Sequence, residues 1–493
     1  MIDLSRNRAG LLAEIEAPDP AGDPLSDLTD PRVTTEGAHV HVCGRAREDL
    51  FPLLEIALSE RFAAVPRQEL IRNLLMPLKS ALGNACKHGN RDDPAKAVFV
   101  ELVLTRNGAL IAVTDEGAGF DAALTFRRFQ KRESFFVNRG SGFRSLHGAA
   151  STVSYENGGR TLLLCFRPST SGNLRSDARA CPAPTLAELA NNHARIESCR
   201  VYPACGCGNR YVLRIARRPG QAAETRILTG RLHTSEAAAK ADFEGAASLR
   251  DARISRSVLI PRPVVIPVEE PRLVLCDFDP WMNLWEYLGY WCSLEALRNS
   301  TERIGRALAR LHRSQVAFNW AQTHRVGEGR DAMAARAERH LQTLRCGHDL
   351  VNRFRVSVQR ILDRPGFGGQ RTAPIHGALG WDCIHYGIDG FFYLYRFETC
   401  RRSDPGLDLG GFASDLLRFT LVDLDEGAYR TCRDALLASY NQRAEHPMNE
   451  DELRFYIALA LVERLQRAGS RTRADTEELL KALEAASCGW GEI

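Results

Sequence analysis

The sequence predicts an α+β protein of two globular parts, an α/β sandwich in the N-terminal third and a larger part that opens in strands and ends in helices. Three observations carry this. The chain has 493 residues, too many for one ordinary hydrophobic core. Between residues 38 and 166, apolar residues switch repeatedly between helical spacing and strict alternation, the pattern of helices packed on a sheet. The run RPSTSGNLRSDARACPAPT (167–185) is rich in Ser, Pro, Gly and Arg and nearly empty of large apolar residues, so it reads as a linker between the two parts.

Residues 1–36 are rich in Asp, Pro, Gly and Ala without a sustained apolar period and are expected to form a disordered leader. A short strand from Ala38 places Val40 and Val42 on one face. The positions Leu50, Leu53, Leu54, Ala57, Leu58 and Phe62 then recur at helical spacing, and a second helix is expected over Gln68–His88. Val98–Leu104 and Leu110–Val113 read as a hairpin around Arg106-Asn107-Gly108, and Thr152–Tyr155 with Thr161–Phe166 as another around Asn157-Gly158-Gly159. Beyond the linker, Arg200–Ile215, Arg226–Leu232 and Leu273–Phe278 read as strands, and helices dominate from Leu284 to Ala485. The expected divisions are a leader (1–36), a first domain (37–168), a linker (169–195) and a second domain (196–493).

Composition narrows the function. With 44% hydrophobic and 26% charged residues the chain has the make-up of a soluble globular protein. A balance of 65 basic against 61 acidic residues gives no electrostatic footprint for nucleic acid. No apolar run is long enough to span a bilayer, and MIDLSRNRAG lacks the apolar core of a signal peptide. The 14 cysteines are scattered, as expected of reduced thiols in the cytoplasm.

The first chemical motif is DEGAGFD, beginning at Asp115. An Asp at the end of a strand followed by glycines lets a ligand approach the backbone, and an adenine amine needs such a carboxylate acceptor. Alone, D-x-G-x-G is equally a tight turn after a strand. Two further runs frame it: Asn84-Ala85-Cys86-Lys87-His88-Gly89-Asn90 closes the preceding helix, and Gly140-Ser141-Gly142-Phe143 opens a later one, where amides can face phosphate. In this order the motifs resemble the Bergerat-fold superfamily of gyrases, histidine kinases and related ATPases. NACKHGN followed by DEGAGFD is similar to the anti-sigma-factor serine kinases, over about Phe51–Phe166. The resemblance implies that Asn84 ligates Mg²⁺, that Asp115 binds the adenine of ATP, that Gly117 and Gly119 shape the base pocket, and that Gly140 and Gly142 cradle phosphate. Lys87, His88, Ser141 and Phe143 belong to the same matched runs and are counted with the nucleotide site. The intervening Leu124–Arg139, with Arg127, Arg128, Lys131 and Arg132, is an ATP lid or a solvated basic face. The implied partner is a sigma factor or an anti-sigma-factor antagonist; kinases of this family are often homodimers.

One position departs from the family. The general base, a Glu four residues before the metal-binding Asn, is here Ser80, one turn earlier on the same helix face. A serine takes no proton at neutral pH, and losing a positioned base removes roughly 10²–10⁴ in rate. Nucleotide binding is therefore expected to outlast phosphoryl transfer unless Asp92, Asp93 or Glu116 reaches the site.

In the second part, IHGALGWDCIHYGIDGFFYLYRFETCRRSDPGLDLGGFASDL (375–416) resembles the catalytic segment of aminoglycoside and choline-type phosphotransferases, whose pattern is H-G-D-x-x-x-x-N followed by I-D-F-E and D-P-x-x-D-L-A. The resemblance implies a two-lobed, protein-kinase-like domain with altered chemistry. Ala378 stands at the catalytic Asp, Cys383 at the metal-binding Asn and Arg396 at the second metal-binding Asp. Arg231 falls at the strand lysine, with Glu244 as its expected helix partner, while Asp404, Asp408 and Glu398 are kept. Such a chain is a pseudokinase, fit to bind a small-molecule ligand or a partner without transferring phosphate; an active serine protein kinase or a small-molecule phosphotransferase are the alternatives. Cys199, Cys205 and Cys207 lack the second ligand pair of a zinc site, and Cys205-Gly206-Cys207-Gly208 reads as a turn between two strands. Trp281, Trp285, Tyr287, Tyr290 and Trp291 are a core cluster or a ligand groove.

Overall fold

The computed structural model of the chain describes residues 2–15, 32–36, 39–45, 47–62, 65, 67–105, 107–130, 146, 151–168, 195–204, 208–216, 224–267, 270–291, 293–316, 318, 329–343, 348–363, 371–387, 389–423, 426–468 and 473–488. It divides into two compact units, Met1–Cys181 with Val201–Cys205 and Pro219–Ala222, and the remainder. The expected linker lies outside the described residues except for Arg195, which opens a strand.

The first unit is a six-stranded antiparallel sheet of β1 (Val33–Glu36), β2 (His39–Gly44), β3 (Val98–Leu104), β4 (Ala109–Asp115), β5 (Thr152–Glu156) and β6 (Thr161–Phe166), in the order β1-β2-β3-β4-β6-β5. The helix Arg47–Arg61 packs on β2, and the helical stretch Arg67–Gly89 packs on β6 and β4. That stretch is not one regular helix. Pro77 has no N–H to return to the carbonyl of Asn73, so the helix widens to a π-turn over Ile71–Leu75, and the Ser151 hydroxyl donates to the Asn73 carbonyl instead. A second π-turn, Ala85–Gly89, follows Asn84.

The leader is corrected in part. Residues 8–14 form a helix capped by Asn7, with Leu11 and Ile15 buried against Val103, Leu110, Ala112, Leu163 and Cys165. Arg8 ties it to Glu156 at 2.8 Å and to Glu101, and Ile2 bridges to Val153. Covered in this way, β4 is buried from Ala109 to Val113, which explains a run more apolar than a one-sided strand requires.

The second unit runs from strands to helices. Arg262–Val265, Leu273–Asp277, Glu224–Leu232 and Gly208–Ala216 pair successively antiparallel, and the helix Glu236–Asp251 packs on this sheet. A continuous core then joins the helices Leu294–His312, Gly406–Asp423, Glu426–Asn441 and Glu450–Ala468. This is the strand-to-helix order expected of the second domain. Two short strand pairs, Ile384–Gly387 with Phe392–Leu394 and Ala373–Ile375 with Arg401–Ser403, interrupt the helices and carry the catalytic-type segment. No helix among the described residues is long and apolar enough to cross a membrane.

Candidate functional site

Asp115 is the last residue of β4, and the sheet delivers it to one end of the first unit. The second π-turn ends at Gly89, and both Gly89 and Gly117 press on its carboxylate. A Cβ at Gly89 would lie 2.3 Å from Asp115 Oδ2, and one at Gly117 would lie 2.2 Å from the Gly89 carbonyl oxygen. Side chains are excluded there, so glycines are what let the Asn84 and Asp115 motifs meet. Gly117 N–H donates to Asp115 Oδ1 at 2.8 Å; Oδ2 accepts no hydrogen bond among the described residues, leaving an acceptor for an amine. Burial pushes the Asp115 carboxyl above the usual carboxylate range, against the opposing effects of the Gly117 N–H, Arg160 and Lys96.

A residue not assigned from sequence fastens the two motifs. The buried Asn90 accepts from Glu116 N–H at 2.8 Å through Oδ1 and donates to the Ala97 carbonyl at 2.8 Å through Nδ2. Its place in the NACKHGN run was the available signal. Glu116 in turn accepts from Ala97 N–H at 2.6 Å, and Asp93 from Ala95 N–H at 2.9 Å. Two of the three carboxylates offered as substitute bases, Glu116 and Asp93, are thus engaged in the 90–97 loop, and Asp92 is exposed. Gly119, at φ 76°, sits in the left-handed region, and the following Phe120 N–H donates to the Gly158 carbonyl at 2.9 Å. The D-x-G-x-G loop therefore rests on the β5–β6 turn. Asn84 and Ser80 are partly buried, whereas Lys87 and His88 are exposed. Lys79 lies over the Phe51 ring at 5.6 Å. Of the stretch Leu124–Arg139, the residues to Gln130 belong to the helix Ala122–Gln130, with Arg127 exposed; Lys131, Arg132, Gly140, Ser141, Gly142 and Phe143 lie outside the described residues, as do Cys205 and Cys207.

In the second unit, the arginine at the strand lysine position has a different partner from the one expected. Arg231 makes a two-bond fork with Glu398, at 2.8 and 2.6 Å, and lies 3.9 Å from Asp242. Glu244 instead faces Lys240 at 3.7 Å on the helix surface. The buried helix carboxylate is Asp242, which accepts from Phe397 N–H at 2.6 Å and meets His233 Nε2 at 3.0 Å. Burial alone would raise the Glu398 carboxyl, but the Arg231 fork outweighs it and holds Glu398 at about 2. His233, Asp242 and Glu398 bring their ligand atoms within 4.8 Å of one another, yet the Arg231 guanidinium already forks Glu398 and lies 3.9 Å from Asp242.

Arg396, at φ 75°, donates to Asp382 at 2.8 Å and lies 3.9 Å from Glu398. A fixed cation thus stands where the resemblance calls for a metal-binding carboxylate. Cys383 is fully buried, its thiol pushed up to about 12 by that burial, and its soft sulfur is poorly matched to Mg²⁺. The kept residues hold the backbone. Asp408 accepts from His376 N–H at 2.7 Å, from Gly377 N–H at 2.9 Å and from His312 Nε2 at 3.2 Å; Asp404 accepts from Gly406 N–H at 2.9 Å and from Arg330 at 3.1 Å. Trp281 is buried, and Trp285 packs on Trp381 with ring centroids 4.8 Å apart, which is the core reading of the aromatic cluster.

Residues 55–166 match the family model of the histidine kinase-like ATPase domain, so this segment of the chain carries a domain of that class. Among solved structures, the chain is similar to an aminoglycoside 2'-phosphotransferase-IIIa in its GDP complex, with 14% identity, 59% of this chain and 93% of that one covered, and a TM-score of 0.41. It is also similar to a macrolide 2'-phosphotransferase from Brachybacterium faecium (15% identity, 62% and 98% covered, TM-score 0.39) and to a choline kinase from Streptococcus pneumoniae (11% identity, 61% and 95% covered, TM-score 0.38). No curated protein sequence matches the chain.

Proposed function

We propose that the chain is an ATP-binding regulatory protein in which nucleotide held by the first unit sets its affinity for a protein partner, while the kinase-like unit binds a ligand or partner without transferring phosphate. The observation that carries this is Asp115, a carboxylate at a strand end, pressed by two glycines and keeping one oxygen unbonded. That arrangement fits an adenine, with Oδ2 receiving the exocyclic amine and Asn84, one π-turn before Gly89, offering its amide oxygen to Mg²⁺. Bound there, ATP and its metal supply a charge that is present in one state and absent in the other. Ser80 in place of a base favours a switch over a kinase. The loop bonds of Glu116 and Asp93 agree with that choice. By resemblance the partner is a sigma factor or an anti-sigma-factor antagonist, and the setting is the cytoplasm.

Linkage supplies the test, because a partner whose binding depends on ATP must change ATP affinity by the same factor. Calorimetric titration of ATP and Mg²⁺ into the intact chain, alone and saturated with a candidate partner, is expected to give affinities differing at least fivefold. Equal affinities would remove the switch.

A further inference from the structure

The second unit holds a cavity of about 710 Å³ lined by Gly377, Ala378, Asp382, Arg396, Arg401 and Arg464 among others. Its volume suits a small metabolite. Among the described residues five arginines face it, and four are matched by carboxylates: Arg396 by Asp382 at 2.8 Å, Arg464 by Asp415 at 2.7 Å, Arg418 by Glu478 at 2.9 Å and Arg336 by Glu463 at 3.4 Å. Arg401 is the exception. Its guanidinium donates to the carbonyls of Gly377 at 3.3 Å and Thr399 at 3.2 Å and meets no carboxylate among the described residues. Carbonyl dipoles orient a cation but leave its charge in place, and a half-buried charge without a counter-ion is costly. Next to Gly377, Ala378 presents a methyl group where the resemblance calls for a carboxylate, so nothing at that position offsets Arg401.

We infer that this cavity is a binding site for a small oxyanion, a metabolite bearing phosphate or carboxylate groups, received by the planar fork of Arg401 and bound without magnesium. The inference rests on the reading of the second unit as a binding rather than a catalytic domain, and it names the chemistry that unit takes. A magnesium–nucleotide complex does not suit the site, because Arg396 occupies the place of a metal ligand with a like charge.

The test titrates the intact chain with inorganic phosphate and, separately, with citrate, in EDTA at ionic strength held constant by sodium chloride, read by calorimetry and by thermal unfolding. At least one probe is expected to bind saturably. R401Q should weaken it tenfold or more. A378D, which leaves Arg401 in place and sets a carboxylate beside it, should weaken it comparably even if R401Q proves unstable. R402Q removes an exposed guanidinium bonded to the Thr372 carbonyl at 3.3 Å, outside the cavity lining, and should bind like the wild type. Absence of saturable binding by both probes, or equal losses in R401Q and R402Q, overturns the site, the second result marking an adventitious ion only. D115N, which is aimed at the nucleotide of the first unit, should leave the oxyanion titration intact, so failure of the ATP switch and failure of this site are read separately.

Discussion

The strand end at Asp115 and the cleft around Ala378 differ in how they depart from the families whose motifs they resemble. At Asp115 a carboxylate oxygen is unbonded and glycines admit close approach, and among the described positions that the resemblance assigns, the departure is Ser80 in place of the base. In the cleft, the positions where the resemblance implies metal ligands carry other residues. Arg396 is ion-paired with Asp382, Cys383 is a buried neutral thiol, and Glu398 is consumed by Arg231. A site missing one group can be restored by one substitution. A site whose vacated positions carry new, mutually satisfied interactions cannot, because each reversal leaves a partner unpaired.

The sharpest break of this contrast is S80E. If only the base is missing, a carboxylate one turn before Asn84 should raise phosphoryl transfer to a partner or to water by about 10²-fold or more, measured as phosphate transferred from labelled ATP. An unchanged rate would mean that another group already serves as base. The corresponding A378D change in the cleft should produce no turnover, since Arg396 still stands at the metal position.

The next effect is on stability. Glu398 is held near 2, against its ordinary 4.5, by the Arg231 fork despite its burial. A depressed carboxylate stabilises the fold fully above the unfolded value, near pH 4.5, and loses that contribution as pH falls towards 2. The shift corresponds to about 3 kcal/mol. E398Q should therefore lower the urea midpoint of the second unit clearly at pH 7, and the gap from the wild type should shrink between pH 4.5 and pH 2.5. A constant gap would show that the Arg231 pair contributes packing rather than charge.

How far these features were legible follows from the range of the interactions involved. The hairpins at 98–115 and 152–166 were readable because alternation and their turn residues are local. The Gln68–His88 helix was readable as a segment but not in its winding, since the π-turn before Pro77 depends on whether a distant hydroxyl, here Ser151, can satisfy the freed carbonyl. The N-terminal helix was missed because two turns carrying Leu11 and Ile15 give too short a period, and it is held by Glu101 and Glu156, about 90 and 150 residues away. Arg231 lies on a strand as expected but was paired with the wrong carboxylate; the resemblance pointed to Glu244, whereas the partner is Glu398, 167 residues downstream. Motif residues declare themselves in order along the chain. Their partners do so only through the fold.

At the nucleotide site, D115N should weaken ATP binding by roughly 10- to 100-fold, the worth of a hydrogen bond to a charged acceptor. It should do so for the whole chain, because Arg396, at the place where the resemblance implies a metal ligand, disfavours a magnesium–nucleotide complex in the cleft. Residual binding at wild-type affinity would place ATP in the second unit and reverse the contrast between the two regions.

The smallest effect is the most diagnostic of the physical cause. Burial raises the Asp115 carboxyl, so its ionised form is disfavoured by folding, and without ligand its protonation on acidification stabilises the first unit relative to an ordinary aspartate. Adenine recognition needs the ionised acceptor, so ATP affinity should fall over the same pH range, beginning above the range of an exposed aspartate and amounting to a few-fold. ATP titrates too, and D115N is the control: its ATP affinity should carry only the slope of the nucleotide, and its ligand-free stability should lack the acid-side gain. The two wild-type curves should then move in opposite directions with pH once the variant's are subtracted. If both fall together on acidification, Asp115 is a structural carboxylate held by Gly117, and the unbonded oxygen is not where the base is read.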